Sequence, residues 1–414
     1  MPAGNKIVVI GAGVVGTVTA LSLRKEGFDV TLVDEKAPGS QCSFGNAGVL
    51  GAGTCVPLSM PGNLRDVPAW LFNNTSPLSI SLPYFPLLLP WLLRFLRAGK
   101  LARVKKISKA LADINSPTVS LYSGLVKEAG IENVIQRSGY LHLYESESSF
   151  RRSELGWKLR EENGVDFQVY AGAEINELEP ALSSYAKGVL IPNDAYLSNP
   201  RDLVSGLFRR FMEIGGHFIN AKVFKINVED DGKYSLITDH GIIGLDKAII
   251  ACGALSNELL RGLGTSVPLE AERGYHVTIK NPGISPRFTI MSSDYKYVTT
   301  PMECGLRLAG KAEFSGLRRP PDFESARSLI PLGKRMFPEL VAEDFSEWSG
   351  FRPTTPDSLP VIGALPKHPN IVCAFGHGHT GMAGAPMTAK LITEIVQNRP
   401  ASLDMDMYRV NRFL

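Results

Sequence analysis

The chain has 414 residues, of which 44% are hydrophobic and 21% charged, and its formal net charge is +3. This is material for two or three domains with an ample core, in the composition of an ordinary globular protein. The small charge and the lack of a basic run interleaved with aromatic residues exclude nucleic acid as a partner. Five scattered cysteines without C-x-x-C spacing indicate free thiols in a reducing compartment, which excludes a disulfide framework or a zinc site.

The beginning of the chain, residues 6–36, predicts a strand, a glycine turn, a helix and a second strand. An apolar run at residues 7–10 is typical of a buried parallel strand, and the pattern G-x-G-x-x-G follows it at Gly11, Gly13 and Gly16. In that order, the glycines permit a tight turn, close approach of the backbone to a pyrophosphate and close packing of helix on strand. The helix N-terminus offers free N–H groups and the positive end of its dipole to phosphates.

An acid follows the second strand at Asp34, with Glu35 beside it. Asp34 lies about 20 residues beyond the glycine motif, where a carboxylate can bind a ribose hydroxyl, and an acid there argues against a 2′-phosphate. Strand, helix, second strand and acid in register predict dinucleotide binding; an ordinary βαβ unit with chance glycines is the alternative. This motif alone does not separate FAD from NAD.

A loop rich in glycine and serine follows at residues 40–54, with few charges and with Asn46 and Gly48 in its middle. Small residues permit the backbone to approach a ligand closely. Because the loop comes directly after a nucleotide-binding unit, we expect it to contact the cofactor; a plain flexible linker is the alternative.

The most apolar segment, residues 77–106, contains three prolines, a short helix rich in leucine and a basic C-terminal flank. It has no run of about 18 apolar residues, so no transmembrane helix is expected. Its composition is that of an interfacial membrane anchor, but it also suits a helix buried on the outside of a second domain, and both interpretations stay open. The N-terminus enters the first strand at once and leaves no room for a signal peptide, so we expect a cytoplasmic nucleotide domain.

Two later segments return to the nucleotide. Residues 246–253 predict a buried strand that ends on a glycine turn, after a hairpin turn predicted at residues 230–232. A last buried strand at residues 370–375 precedes a glycine run, residues 376–384, that opens the final helix and can bind a second polar part of a cofactor. Its distance from the first motif indicates a long ligand wrapped by both ends of the chain, which FAD fits better than NAD.

The order of these segments predicts an α/β fold with two discontinuous domains. Residues 1–60, 190–265 and 345–414 are expected to form a Rossmann-type dinucleotide-binding domain. Residues 61–189 and 266–344 are expected to form a mostly antiparallel α+β substrate domain.

Arg352 lies in a stretch punctuated by prolines, residues 347–363, which predicts a stiff loop. A guanidinium is a fixed fork that matches a carboxylate bidentately, so Arg352 is a candidate for binding a substrate carboxylate; a structural arginine bound to loop carbonyls is the alternative. His377 and His379 can donate hydrogen bonds to flavin carbonyls or satisfy the backbone, and no carboxylate or cysteine at ligand spacing supports a metal pair. Tyr275 and His276 line the substrate site or belong to a simple core strand.

Five motifs together resemble a known family: GAGVVG, SQCSFGNAG, AIIACGALS, GFRPTTPDSLPVIG and FGHGHTGMAGAP, in this order. They are similar to the FAD-dependent D-amino-acid oxidase superfamily, and most of all to the bacterial D-amino-acid dehydrogenase small-subunit group. The similarity extends over essentially the whole chain. It implies a Rossmann-type FAD-binding domain, FAD held noncovalently, and Arg352 paired with the substrate carboxylate.

The resemblance also implies a set of FAD contacts. These are Gly11, Gly13, Gly16, Asp34, Glu35, Ser43, Asn46, Gly48, Val223, Ala251, Gly253, Gly376, Gly378, Thr380, Gly381 and Met382.

The implied activity is oxidative deamination of D-amino acids, including cyclic ones such as D-proline or D-hydroxyproline. Hydride would pass to flavin N5 and electrons to a quinone or another acceptor that is not O₂. The expected location is the cytoplasm, with a peripheral contact on the inner face of the cell membrane if residues 77–106 form an anchor. The alternatives are a glycine- or sarcosine-type amine oxidase that uses O₂, and a flavin-binding subunit of a larger dehydrogenase complex.

Overall fold

The computed structural model describes residues 6–62, 76–229 and 233–413. The hairpin turn predicted at residues 230–232 and part of the predicted substrate domain, residues 63–75, lie outside the described residues.

The described chain contains both strands and helices along its whole length. Its strands are β1 (Lys6–Ile10), β2 (Asp29–Asp34), β3 (Val49–Leu50), β4 (Leu78–Ile80), β5 (Ile135–Gln136), β6 (Tyr140–Tyr144), β7 (Gln168–Ala171), β8 (Lys187–Ile191), β9 (Ala195–Leu197), β10 (His217–Asn220), β11 (Val223–Val228), β12 (Tyr234–Thr238), β13 (Gly241–Leu245), β14 (Lys247–Ile250), β15 (Glu270–Ile279), β16 (Thr289–Ser292), β17 (Tyr297–Met302), β18 (Gly305–Phe314), β19 (Phe345–Thr354), β20 (Val361–Leu365) and β21 (His368–Phe375). Its α-helices are α1 (Val14–Lys25), α2 (Phe85–Ala98), α3 (Leu101–Asn115), α4 (Thr118–Glu128), α5 (Glu147–Arg152), α6 (Glu154–Glu162), α7 (Ala173–Leu178), α8 (Pro200–Glu213), α9 (Ser256–Gly262), α10 (Glu324–Arg327), α11 (Leu329–Met336) and α12 (Gly381–Val396).

A six-stranded sheet carries the glycine motif, in the order β10-β2-β1-β14-β21-β20. Its first five strands run parallel, and β20 is antiparallel to β21. Strand β1 is apolar and buried from Ile7 to Ile10 because both faces of the sheet are covered. Ile7 and Val9 pack with the helices α1 and α12, whereas Val8 and Ile10 pack with α9 and the three-stranded sheet β11-β12-β13.

The strand order reverses at β1. The chain passes from β1 through α1 to β2 on one side, and later returns to place β14 on the other. In open α/β sheets, ligands bind at such a switch point, outside the carboxyl ends of the strands. Gly11 and Ala251, which directly follow β1 and β14, therefore mark the expected position of the cofactor.

A nine-stranded, mostly antiparallel sheet forms the second layer, in the order β19-β15-β18-β17-β16-β6-β8-β7, with β4 beside β18. Two of its three ten-residue strands, β15 and β18, pair over most of their length, with one bulge between Gly274 and Tyr275. The α/β class and the mostly antiparallel second sheet predicted from sequence are confirmed.

The predicted loop around Arg352 is wrong, because residues 345–354 form β19. This strand lies at the edge of the nine-stranded sheet and pairs antiparallel with β15. An edge strand tolerates proline, which has no N–H to give to a ladder, so Pro353 does not break it. Strand β19 thus hydrogen-bonds in the second sheet although it begins the third segment of the predicted nucleotide domain; the domain boundaries stay predictions.

Helix α2 packs on the second sheet at its β4 end. Leu88, Trp91, Leu92 and Phe95 are buried against Ile80 and Phe314, while the other face of the helix is open. In the part of the chain that the structure describes, no helix is both long enough and apolar enough to cross a bilayer.

Candidate active site and cofactor cavity

A cavity of about 790 Å³ lies at the carboxyl ends of β1, β2 and β14 and extends to β19 and the start of α12. Its size suits a large organic cofactor. Many of the predicted cofactor residues line it: Gly11, Gly13, Asp34, Glu35, Ser43, Asn46, Val223, Ala251, Gly253, Gly378, Gly381 and Met382.

The glycine motif has the geometry that the sequence predicted. Gly11 has φ +105°, and a Cβ there would lie 2.5 Å from the carbonyl oxygen of Ala251 on the neighbouring strand. A Cβ at Gly16 would clash with the carbonyl oxygen of Gly11, so this glycine serves the packing of helix on strand and does not line the cavity. Only glycine fits at either position, and the backbone at the helix start stays open to a ligand.

Asp34 and Ser43 organise the groups around that helix start. The Asp34 carboxylate accepts hydrogen bonds from the backbone N–H groups of Ala12 (2.6 Å) and Lys36 (2.8 Å). Burial raises the pKa of Asp34, and these two N–H groups oppose the rise. The Ser43 hydroxyl accepts from the N–H of Val14 at 2.9 Å. Asp34 lines the cavity, and its carboxylate has acceptor capacity beyond these two hydrogen bonds, as a ribose contact requires.

Three predicted cofactor residues have another local role. Gly48 has φ +80°, donates to the Asn46 side chain at 2.7 Å and abuts β9 at Leu197. Gly376 has φ +83°, and Thr380 donates to the carbonyl of His377 at 3.0 Å. These residues shape the loops that bear the cavity-lining groups and do not line the cavity themselves.

His377 lines the cavity at the start of the glycine run. Its Nε2 lies 2.8 Å from Thr388 Oγ1, and that hydroxyl donates its own hydrogen to the Gly384 carbonyl, so Nε2 carries the proton and donates. Burial lowers the pKa of His377 to about 3. The neutral ring therefore leaves only Nδ1, an acceptor, so the predicted donation from this ring to a flavin carbonyl does not fit the arrangement.

Arg352 points from β19 toward Glu272, its register partner on β15. Its Nη1 lies 2.5 Å from Glu272 Oε1 and donates to the Lys311 carbonyl at 3.1 Å, while Thr354 donates to the other Glu272 oxygen at 3.0 Å. Neither Nε nor Nη2 of Arg352 makes a hydrogen bond to a residue that the structure describes. One edge of the guanidinium is thus fixed, while the Nε–Nη2 edge lies over Gly274 without a hydrogen bond to the described chain. Arg352 itself is not among the residues that line the cavity.

Of the remaining predicted residues, Tyr275 and His276 lie on opposite faces of β15, and His379 lies in the turn before α12. His276 shares a face with Glu272, stacks on Trp348 at 5.0 Å and donates from Nδ1 to the Gly45 carbonyl at 3.2 Å; burial lowers its pKa to about 3. Tyr275 points to the opposite face, where it donates to Glu313. The His379 side chain is partly exposed to solvent. The surrounding chain nevertheless desolvates the ring, which lowers its pKa, and the negative charge of Glu272 opposes this effect.

Several residues at the end of the cavity near β19 were not predicted from the sequence. Trp348 and Phe351 of β19, Cys42 and Leu317 all line it, and Glu272 holds Arg352. Glu272 could have been found from the strand pattern of residues 269–280. Side chains of a strand point alternately to its two faces, so Glu272, Gly274 and His276 lie on one face. Enclosure raises the pKa of Cys42 to about 11, so its thiol stays protonated and is a poor nucleophile.

The cavity, the glycine cradle, the helix N-terminus and the acid at the end of β2 together fit a dinucleotide held between the two ends of the chain. With a second sheet closing the cavity, these features define a Rossmann-type oxidoreductase. A family model described as FAD dependent oxidoreductase matches residues 6–395, and the chain belongs to this family. The predictions of the superfamily, of FAD and of an enzyme are confirmed.

Full-length relatives and solved structures agree with this assignment. The chain is 36% identical over 422 residues to D-amino-acid oxidase of Bradyrhizobium diazoefficiens, with 100% of both chains covered. It is 30% identical over 427 residues to D-amino acid dehydrogenase of Rhizobium rhizogenes, with 99% of this chain and 100% of that one covered. Its fold is similar to glycine oxidase from Geobacillus kaustophilus (TM-score 0.75, 22% identity, 99% and 100% covered) and to L-proline dehydrogenase from P. horikoshii (0.76, 19%, 100% and 98%).

Proposed function

We propose that this enzyme oxidises D-amino acids by removing hydride from the α-carbon. The observation that carries the proposal is the available edge of Arg352, whose Nη1 is held by Glu272 and the Lys311 carbonyl. Two N–H groups on one rigid edge match the two oxygens of a carboxylate. The names of the two full-length relatives, a D-amino-acid oxidase and a D-amino acid dehydrogenase, support the substrate class.

The walls beside Arg352 support an apolar side chain on the substrate. Trp348 lines the cavity from the face of β19 that also carries Arg352. Phe351 and Leu317 line the cavity as well, but the Phe351 ring lies on the opposite face of β19, over Arg273. A ring such as that of D-proline or D-hydroxyproline has the compact apolar surface that such walls accept, because burial of apolar area is favourable in proportion to the area removed from water. Cyclic D-amino acids are therefore part of the proposal.

The residues of the chain bind and orient the substrate, while bound FAD supplies the chemistry by accepting the hydride. Arg352 would hold the carboxylate so that the α-carbon has one fixed direction, and the aromatic walls would exclude water. His276 and His377 are neutral at physiological pH, so they bring no charge to the reaction. The amine can release its proton to solvent on binding, and the imino acid product hydrolyses in water to a 2-oxo acid.

We further propose that electrons pass to a quinone in a membrane and that α2 touches the bilayer. The open face of α2 exposes Leu87 (71%), Leu89 and Leu93, followed by the exposed Arg94 and Arg97. Apolar side chains beside cations are typical of a helix that lies in the interface of an anionic membrane. Through its buried face the helix reaches the active site, because Trp91 donates to the Thr354 carbonyl at 3.2 Å.

A panel of D- and L-amino acids, glycine and sarcosine tests the substrate class. Purified, FAD-loaded enzyme is mixed anaerobically with each compound, and loss of the oxidised flavin absorbance is recorded. We expect bleaching with D-amino acids, D-proline and D-hydroxyproline included. Bleaching with glycine and sarcosine only would instead support the amine oxidase, and no bleaching with any compound would support a flavin-binding subunit.

The acceptor is tested by a second assay on the same preparation. Turnover with O₂ alone is compared with turnover in the presence of an artificial quinone, with H₂O₂ recorded in parallel. We expect turnover to depend on the quinone. Rapid turnover in O₂ alone with stoichiometric H₂O₂ would overturn the choice of acceptor and leave the substrate class standing.

A further inference from the structure

Residues 44–47, in the loop that lines the cofactor cavity, are hydrogen-bonded to the second sheet. Each of the four consecutive carbonyl oxygens of residues 44–47 accepts a hydrogen bond from a side chain of that sheet. Arg307 Nη1 donates to the first and third of them, at 2.9 and 2.7 Å. His276 donates to the second at 3.2 Å, and Thr300 donates to the fourth at 2.7 Å. Three strands, β15, β17 and β18, therefore meet on one short loop.

Arg307 is the centre of this arrangement. It is only 2% exposed, and its other contacts include Thr278, which accepts from Nε at 3.3 Å, the ring of Phe44 at 5.5 Å and the Cys304 side chain. No carboxylate of the described chain lies within ion-pair distance of it. A charge buried without a counter-charge is costly unless hydrogen bonds and a nearby anion compensate it, so the position demands a reason beyond packing.

The loop connects this buried cation to the cofactor cavity. Residues 44–47 continue from Cys42 and Ser43, which line the cavity, and Asn46 lines it as well. Ser43 in turn accepts from the first N–H of α1. A shift of the loop carbonyls would therefore move the groups that face the cofactor and the start of the helix that meets its phosphates.

We propose that Arg307 is a positioning residue for FAD, and that its positive charge favours the reduced, negatively charged flavin. The guanidinium binds two loop carbonyls through Nη1 and Thr278 through Nε, and the single nitrogen of an ammonium group cannot occupy both positions. In a desolvated interior its charge acts across the thickness of the loop, and a charge near the flavin tunes its reduction. Nothing in this proposal depends on which amino acid is oxidised.

The test compares Arg307→Lys with Arg307→Met in FAD-loaded enzyme. The midpoint potential is measured by dye equilibration, and FAD affinity by recovery of flavin fluorescence on dilution. We expect Arg307→Met to lower the potential and to weaken FAD binding by about 10- to 100-fold, the effect of losing a charged hydrogen-bonding group. Arg307→Lys should lose part of the affinity and keep a potential close to that of the wild type. A wild-type potential in Arg307→Met would overturn the role of the charge.

Two further variants distinguish the effect of the hydrogen bonds to the loop of residues 44–47 from a general loss of packing. Thr300→Val removes one loop bond and no charge, so it should weaken FAD binding a few-fold at an unchanged potential. Arg273→Met is the matched control, since Arg273 is equally buried in the same sheet but faces Glu313 and the Arg319 carbonyl. It should lower the melting temperature and leave the potential unchanged.

If Arg307→Met does not fold, the lysine and valine variants decide. Wild-type FAD affinity in both variants would overturn the proposal that hydrogen bonds to residues 44–47 position the cofactor. An equal fall in potential in Arg273→Met and in either Arg307 variant would also overturn the proposal, because it would trace the effect to loss of packing.

Discussion

Glu272 and Arg352 face each other across β15 and β19, with Glu272 Oε1 2.5 Å from Arg352 Nη1. Gly274, the next residue on that face of β15, has no side chain, and the guanidinium lies over it, where a Cβ would clash. The ion pair thus occupies Nη1 of the guanidinium and fixes the orientation of the edge formed by Nε and Nη2. If Arg352 binds the substrate carboxylate as proposed, Glu272 prepares it for that contact, because the guanidinium then has little freedom left to lose on binding.

Arg352→Lys should raise KM for a D-amino acid by about 10- to 100-fold, since a point charge cannot reproduce the bidentate contact. Retention of FAD should not change. Steady-state kinetics with the flavin absorbance recorded on the same sample checks both. An unchanged KM would contradict the carboxylate clamp.

Glu272→Gln should raise KM by a smaller factor than Arg352→Lys. The amide keeps the shape and can still accept from Thr354, but it no longer holds the guanidinium by charge. If Glu272 acts only through Arg352, adding Glu272→Gln to Arg352→Lys should cause little further loss, and a double-mutant cycle measures this coupling. Fully additive effects in the cycle would show that Glu272 acts independently of the arginine.

The N-terminal unit could be predicted because its information is local. β1, α1 and β2 are contiguous, and Gly11, Gly13, Gly16 and Asp34 serve them within about 30 residues. The active-site end could not be predicted in the same way. Glu272 and Arg352 are brought together by pairing between strands 80 residues apart, and nothing in either segment specifies that register.

The role of Arg307 could not be predicted from the sequence either, because it also depends on contacts between distant segments. An arginine in a sequence is expected at the surface, and only the meeting of β18 with residues 44–47 reveals it as a buried donor. The proline-rich stretch around Arg352 misled for a related reason. Proline disfavours central strands, but whether a strand is central or at an edge is a property of the whole sheet.

Asp34→Asn should weaken FAD binding by about tenfold. The amide can replace only one of the two acceptor oxygens now bound to the Ala12 and Lys36 N–H groups, and its NH₂ would face one of these donors. Fluorescence titration of the apoprotein with FAD gives the affinity. Asp29→Asn, at the exposed beginning of the same strand, is the control and should bind FAD as the wild type does.

Gly16→Ala should prevent FAD binding and lower the melting temperature, because the new Cβ would clash with the Gly11 carbonyl at the cradle itself. Gly124→Ala is the matched control: it lies in α4 with nothing within 4 Å of the added carbon. There the methyl group should stabilise the protein by about 0.5–1 kcal/mol through helix propensity and reduced freedom of the unfolded chain. Thermal unfolding of the two variants compares them, and similar behaviour would refute the packing role of Gly16.

Leu87→Gln should reduce binding to vesicles that contain anionic lipid, as measured by cosedimentation. Leu87 is 71% exposed on α2, so its replacement costs little folding stability but removes apolar area from the proposed membrane contact. Ile242→Gln is the control, because Ile242 is 73% exposed on β13, in a different part of the molecule. Equal binding by wild type and both variants would leave α2 as a partly covered helix of the second sheet, the other interpretation of its sequence.

Asp194 should make the stability of the protein depend on pH. It is 1% exposed, both carboxylate oxygens accept from the Gly53 N–H at 3.3–3.4 Å, and burial raises its pKa to about 7 from an ordinary value of 3.8. Because the folded state holds this proton more tightly than the unfolded state, the contribution of Asp194 is most favourable below pH 4. It is lost progressively between pH 4 and 7 and is constant above that, a total on the order of 4 kcal/mol.

Asp194→Asn cannot lose a proton and keeps an oxygen for Gly53, so it lacks this pH dependence. Relative to the wild type, its melting temperature should therefore rise by several degrees between pH 5 and pH 8. All other groups titrate alike in the two proteins, so the difference between their melting temperatures isolates Asp194. A difference that stays constant over this range would mean that the buried carboxylate is ionised throughout, with the charge of Arg160 compensating it.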